Sequence, residues 1–238
     1  IPGIKYLDQG SRNKGEGTRN FVVFKPDLVD ILKRYAVPVA GAGNFDRQGG
    51  TRMSPFELIE ATGSTPESLA RVNDPEREPF RIGAVQQAWH EDPVTHQDLL
   101  AEGIRLAAGA GARIVCLQEL TLSPYFAITE DAIGEAEGWA EEIGDGATSE
   151  FARRMAIETG AFIHASLYEK ADDGGLGFNT AVCFGPGGSL VASTRKLHIP
   201  VTAGYYEDRY FAPGDTGYPV VDVGPARIGL PTCWDQWF

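Results

Sequence analysis

From about residue 80 onward the sequence predicts an α/β fold, and three observations carry that expectation. Short β-rich runs alternate with helical stretches. A strand, a helix and a second strand follow one another within about 35 residues, the span of a parallel crossover unit. Titratable residues also stand at or just beyond the ends of several of these strands, which is where α/β folds place their sites.

In chain order, the β-branched and apolar run over 82–88 reads as the first strand, 95–110 as an amphipathic helix and 113–117 as the strand that closes the crossover. Residues 147–159 have helical spacing. Further strands are predicted at 161–168, 180–184, 189–193 and 226–232. Upstream the character differs. Residues 1 to 20 are rich in Gly, Lys, Arg and Asn with little periodicity and read as an irregular arm. Leu28, Ile31, Leu32 and Tyr35 share one helical face. Ser54-Pro55-Phe56-Glu57 carries a capping residue, a proline and a glutamate at the spacing of a helix start, and Thr65-Pro66-Glu67 repeats the signal. Residues 73–79, charged and with two prolines, read as a linker. The expected organisation is thus an N-terminal extension over 1–80, an arm plus short helices, followed by a second domain over 81–238.

The composition narrows the function. With 238 residues, 42% of them apolar, the chain has material for a sizeable core, and a formal charge of -12 opposes nucleic-acid and anionic-membrane surfaces. No run approaches the roughly 18 to 20 apolar residues of a membrane-spanning helix, and no signal segment opens the chain, so a cytoplasmic protein is expected. The three cysteines, Cys116, Cys183 and Cys233, are too few and scattered for a disulfide framework or a Cys-rich zinc site. They leave room for a reactive thiol.

Three segments concentrate the chemistry: Leu117-Gln118-Glu119-Leu120 with Ser123-Pro124-Tyr125-Phe126, then Arg195-Lys196-Leu197-His198-Ile199-Pro200, then Cys233-Trp234-Asp235-Gln236-Trp237-Phe238. Singly, each has an ordinary reading: a solvated loop glutamate, a surface lysine, a small core cysteine. Together, in this order and with Gly204-Tyr205-Tyr206-Glu207 and Phe211-Ala212-Pro213-Gly214-Asp215 between them, they resemble the nitrilase superfamily of carbon–nitrogen hydrolases, on its N-carbamoylputrescine amidase and β-ureidopropionase side. The resemblance covers residues 80 to 238.

That resemblance implies an αββα sandwich and a catalytic set of Glu119, Lys196 and Cys233. A free thiol is mostly protonated at neutral pH, so a base must take its proton before it attacks an amide carbon. Glu119 is expected to be that base. Lys196 and the main-chain N–H of Trp234 are expected to stabilise the tetrahedral oxyanion. Glu119 would then protonate the departing ammonia and activate the water that hydrolyses the thioester. Glu207 matches a second glutamate that the family places near the substrate, with a solvated loop charge as its ordinary alternative. No metal or organic cofactor is required. His198 invites a competing Cys-His reading of papain type.

Two departures from the family pattern stand out. The family's sandwich continues past its nucleophile, so its C-terminal part is expected to be absent from this chain. Pro231 precedes the cysteine where the family has aliphatic residues, and proline cannot donate to a ladder, so the strand there should be interrupted. The expected activity is hydrolysis of a linear amide or N-carbamoyl amine, with a small-molecule substrate, no nucleic-acid or membrane partner, and homo-oligomeric assembly implied by the family. The alternatives are a nitrile-hydrolysing member of the same fold and a catalytically silent subunit or assembly fragment.

Overall fold

The computed structural model describes residues 4–7, 19–22, 55–60 and 80–238, with 203 and 225 excepted. Packing divides the chain into two units, Ile1–Pro75 with Trp237 and Glu76–Gln236 with Phe238.

In the first unit, strand β1 (Ile4–Leu7) pairs antiparallel with β2 (Arg19–Val22), in a register that sets Ile4 against Val22 and Tyr6 against Asn20. These two strands overlap the stretch expected to be an irregular arm, whose other residues lie outside the described ones. The aromatic and β-branched residues Ile4, Tyr6, Phe21 and Val22 favour extended backbone. The helix expected to start at Ser54-Pro55 is also absent where the chain is described, because Pro55–Glu60 has no helical turn. Leu58 and Ile59 are exposed there. A short helix without a packed face is marginal in water whatever its capping signal. The other expected helices, at 26–35 and from Thr65, and the linker at 73–79 lie outside the described residues.

The second unit is built on a five-stranded sheet of order β3-β4-β5-β6-β7: β3 (Arg81–Ala84), β4 (Ala112–Cys116), β5 (Phe162–Glu169), β6 (Phe178–Phe184) and β7 (Leu190–Arg195). β3, β4 and β5 run parallel, while β6 is antiparallel to β5 and β7 to β6. β4, β5 and β7 therefore end on the same edge, and β6 begins there.

Helix α1 (Pro93–Gly109) makes the crossover from β3 to β4. Asp92 caps it by accepting from Thr95 N at 2.8 Å, and Pro93 occupies its first turn. Its buried stripe of Leu100, Ala101, Ile104 and Ala107 packs against the sheet beside helix α3 (Ala147–Thr159). Gly83 is needed in β3 because a Cβ there would lie 2.8 Å from that of Ala107. The short α2 (Ile133–Glu137) lies between the two longer helices in sequence.

A second layer lies on the sheet. β10 (Val220–Asp222) pairs antiparallel with β11 (Arg227–Gly229), and Val221, Val223, Ala226 and Leu230 pack on Ile114, Ala181, Cys183 and Ala192. The two-residue strands β8 (Val201–Thr202) and β9 (Tyr205–Tyr206) form a separate hairpin. The last strand was expected over 226–232 and ends instead at Gly229, two residues before Pro231. The expected interruption before the cysteine is therefore present.

Among the described residues no helix is long and apolar enough to cross a membrane.

Candidate active site

Local sequence delivers four side chains to the sheet edge where β4 and β7 end. Beyond β4 the chain stays tied to β5: Leu117 N donates to His164 O at 3.0 Å and Thr121 N to Ser166 O at 2.8 Å. Between these ties Leu120 takes a positive φ of 50°, with its N–H on Ser166 Oγ. That left-handed residue turns the backbone directly after Glu119. A non-glycine residue in this region is sparsely populated and persists where its surroundings hold it.

Lys196 is the first residue after β7. Its N–H still donates to Asn179 O and its carbonyl accepts from Gly214 N, each at 2.8 Å, so its backbone is ordered as in a strand. Glu207 opens a 3-10 turn (Glu207–Arg209) after β9. Cys233 opens another, Cys233–Trp237, and itself has a φ of 48°. Trp234 is the second residue of that turn. The site thus holds two strained backbone positions, one beside the glutamate and one at the cysteine.

The four side chains meet. Lys196 Nζ lies 2.9 Å from Glu119 Oε1, and 2.9 and 2.7 Å from the two oxygens of Glu207. The side chains of Lys196 and Glu207 are wholly buried, and that of Glu119 is one-fifth exposed. The Cys233 sulfur and a carboxylate oxygen from each of Glu119 and Glu207 lie within 4.8 Å of one another. Such a trio offers donors to a metal ion. The Lys196 ammonium already contacts both carboxylates, so the protein itself supplies the positive charge they favour.

The electrostatics follow from burial and these neighbours. Burial opposes the Lys196 charge, but Glu119 and Glu207 outweigh it and hold the ammonium pKa above its usual value. Burial raises Glu207, with Lys196 opposing and Glu119 adding to the rise. The Cys233 thiol is pushed up to about 11, first by desolvation and then by the Glu119 charge, against the pull of Lys196. Burial and the two carboxylates beside it thus favour the neutral thiol over the thiolate. The residue as a whole remains open to approach from solvent.

Sequence reasoning missed three partners. Asn179, at the start of β6, donates to Glu119 Oε1 at 2.6 Å and receives Ser166 Oγ at 3.2 Å. Tyr125 donates its phenol to Glu207, and burial and that carboxylate push its pKa well above the usual tyrosine range. Asp235, buried two residues after the cysteine, accepts from the segment that follows Lys196. Asn179 was detectable as a polar residue inside an apolar strand, and the other two stand in runs already singled out. His198 is turned elsewhere, with Nδ1 on Asp235 at 2.9 Å and its ring stacked on Phe238 at 3.9 Å.

Comparison with known proteins identifies the family. Residues 81–238 match the family model described as carbon-nitrogen hydrolase. Over 159 residues the chain is 33% identical to N-carbamoylputrescine amidase of Arabidopsis thaliana, covering 66% of this chain and 51% of that protein. It is 30% identical to citrullinase of Francisella tularensis, covering 67% and 54%. Among solved structures, the carbon-nitrogen hydrolase of Helicobacter pylori G27 superimposes with a TM-score of 0.56 at 32% identity, over 67% of this chain and 53% of that one. The chain spans about half the length of the relatives it matches. With two-thirds of its own length matched, this chain belongs to the carbon-nitrogen hydrolase family.

Proposed function

We propose that the cluster of Cys233, Glu119, Lys196 and Glu207 hydrolyses the C–N bond of a linear amide or N-carbamoyl amine through a cysteine thioester, releasing ammonia. The observation that carries this reading is the placing of one buried ammonium between two carboxylates beside a thiol that burial keeps protonated.

In this reading Glu119 takes the thiol proton as sulfur attacks the carbonyl carbon. The sulfur–carbon bond forms, and the carbonyl π pair moves to oxygen. Lys196 and the Trp234 N–H meet that oxyanion; losing one such donor costs roughly 3 to 4 kcal/mol of transition-state stabilisation. Collapse breaks the C–N bond, and Glu119 passes its proton to the departing nitrogen. Water, deprotonated by the same carboxylate, then cleaves the thioester and regenerates the thiol. Glu207 holds Lys196 in place and Tyr125 holds Glu207. Asn179 fixes the Glu119 carboxylate, leaving its second oxygen to the thiol. The thiol's high pKa fits this scheme, because proton removal is coupled to attack instead of being completed beforehand. Residues 1–80 are proposed to be an N-terminal extension of the hydrolase domain over 81–238.

The reading is supported by relatives that include an N-carbamoylputrescine amidase and a citrullinase. Its test is ammonia release from carbamoyl amines, simple aliphatic amides and nitriles. Release from the first two and its loss in Cys233→Ala are expected. Turnover of nitriles alone would move the reaction to nitrile hydrolysis, and no turnover by a folded protein would leave a silent subunit.

A further inference from the structure

The nucleophile's position is not fixed by a strand. β11 ends at Gly229, Pro231 cannot join a ladder, and Cys233 stands at a positive φ on a five-residue 3-10 turn. A short turn of this kind does not by itself hold a sulfur to the tolerance that attack requires. From this we infer that the buried carboxylate of Asp235 is a positioning residue, which clamps the Cys233 turn to the segment following Lys196 and so sets the thiol against the ammonium. This inference rests on the reading of the site just given.

The contacts that make the clamp come from two directions. Asp235 Oδ1 accepts from Leu197 N at 3.2 Å, His198 N at 2.9 Å and His198 Nδ1 at 2.9 Å, with the Tyr218 hydroxyl at 3.3 Å. Oδ2 accepts from Thr232 N at 3.2 Å. One carboxylate thereby joins the two residues after Lys196 to the residue before Cys233. Its side chain is wholly buried, so these donors stand in for water. Hydrogen bonds to an ionised acceptor in such a setting are the strong ones and hold direction well. His198 thereby acquires a role different from a base for the thiol: its ring is one of the clamp's donors.

The test is Asp235→Asn, which keeps the shape and one acceptor oxygen but turns the second into an amine facing the Thr232 N–H. If Asp235 positions the thiol, kcat falls by roughly 10²-fold, the order expected for a misplacement of about 1 Å, with KM little changed and the fold retained. The pH profile of Cys233 alkylation supplies a readout that a merely structural role would not move. Removing a nearby negative charge would by itself favour the thiolate and lower the profile, whereas losing the ammonium's registration raises it. A profile shifted upward is expected; one unchanged or shifted downward, or an unchanged kcat, overturns the inference. Because alkylation needs no substrate, it tests the clamp even if no amide is turned over and the hydrolase reading fails. Should Asp235→Asn not fold, amide hydrogen exchange of the unaltered protein decides: Leu197, His198 and Thr232 should be protected together. Fast exchange at any of the three would overturn the clamp.

Discussion

Removing the ammonium at the centre of the site should cost stability in a manner that depends on pH. In Lys196→Met the apolar stem is kept and the charge is lost, leaving Glu207 wholly buried beside no cation. At an effective dielectric constant of about 20, unit charges 2.7 Å apart attract by about 6 kcal/mol, part of which desolvation offsets. Breaking a buried pair from one side costs about 3 to 5 kcal/mol, and the variant should be destabilised by that amount at pH 8. Lys196 opposes the rise that burial imposes on the Glu207 pKa, so its removal lets that pKa climb further. A carboxyl whose folded pKa is raised is tolerated below the unfolded value and costs stability as pH rises through the folded one. The deficit should therefore shrink at pH 5. Adding Glu207→Gln should recover at least half of it at pH 8, because neither member of the pair is then left as a lone buried charge. Urea unfolding of the three proteins at both pH values is the assay. A deficit below about 1 kcal/mol, the scale of a surface ion pair, would refute the claim that this pair is buried and coupled. So would a deficit independent of pH.

The remaining expectations concern groups at and beneath the site. Iodoacetamide followed by peptide mapping should modify Cys233 first, at a rate that climbs as pH rises toward about 11, while Cys116 and Cys183 stay unlabelled, since burial raises both and pushes Cys183 to about 12; preferential labelling of either would contradict this. His164, on β5 between those two cysteines in register, is pushed down to about 4 by burial. Its neutral form contributes stability above pH 6.5 that is lost as pH falls toward 4, by as much as about 3 kcal/mol. Comparing His164→Leu with the parent across that window by thermal unfolding should show a flatter acid slope in the variant.

The parts of the molecule legible in sequence were those governed by short-range chemistry. Helix α3 was legible end to end from its helical spacing, a local signal, and the structure adds Gly160, left-handed at a φ of 68° just past its last turn. The strands around Glu119 and Lys196 were legible from β-rich runs, within the few residues by which ends are uncertain. The third chemical segment was legible from its residues, although its strand proved short. What stayed hidden depends on partners distant in sequence. Asn179 acts on a glutamate 60 residues away, Tyr125 on one 82 away, and Asp235 on backbone 38 and 37 residues away. No local pattern encodes those pairings. The helix expected from Ser54 failed for the converse reason, a good local signal with Leu58 and Ile59 left unpacked.

The central claim is that a carboxylate, not an imidazole, takes the Cys233 proton, and a pair of variants tests it most directly. Glu119→Gln keeps the shape and the partnership with Asn179 but removes the base. With both proteins folded and a substrate that releases ammonia, it should lower kcat by roughly 10²- to 10⁴-fold. His198→Ala leaves the Leu197 and His198 backbone donors on Asp235 and should cost no more than about tenfold, the scale of one hydrogen bond. If His198→Ala abolished turnover while Glu119→Gln left it nearly intact, the protein would be a Cys-His hydrolase, and the roles proposed for Glu119 and Lys196 would fall together.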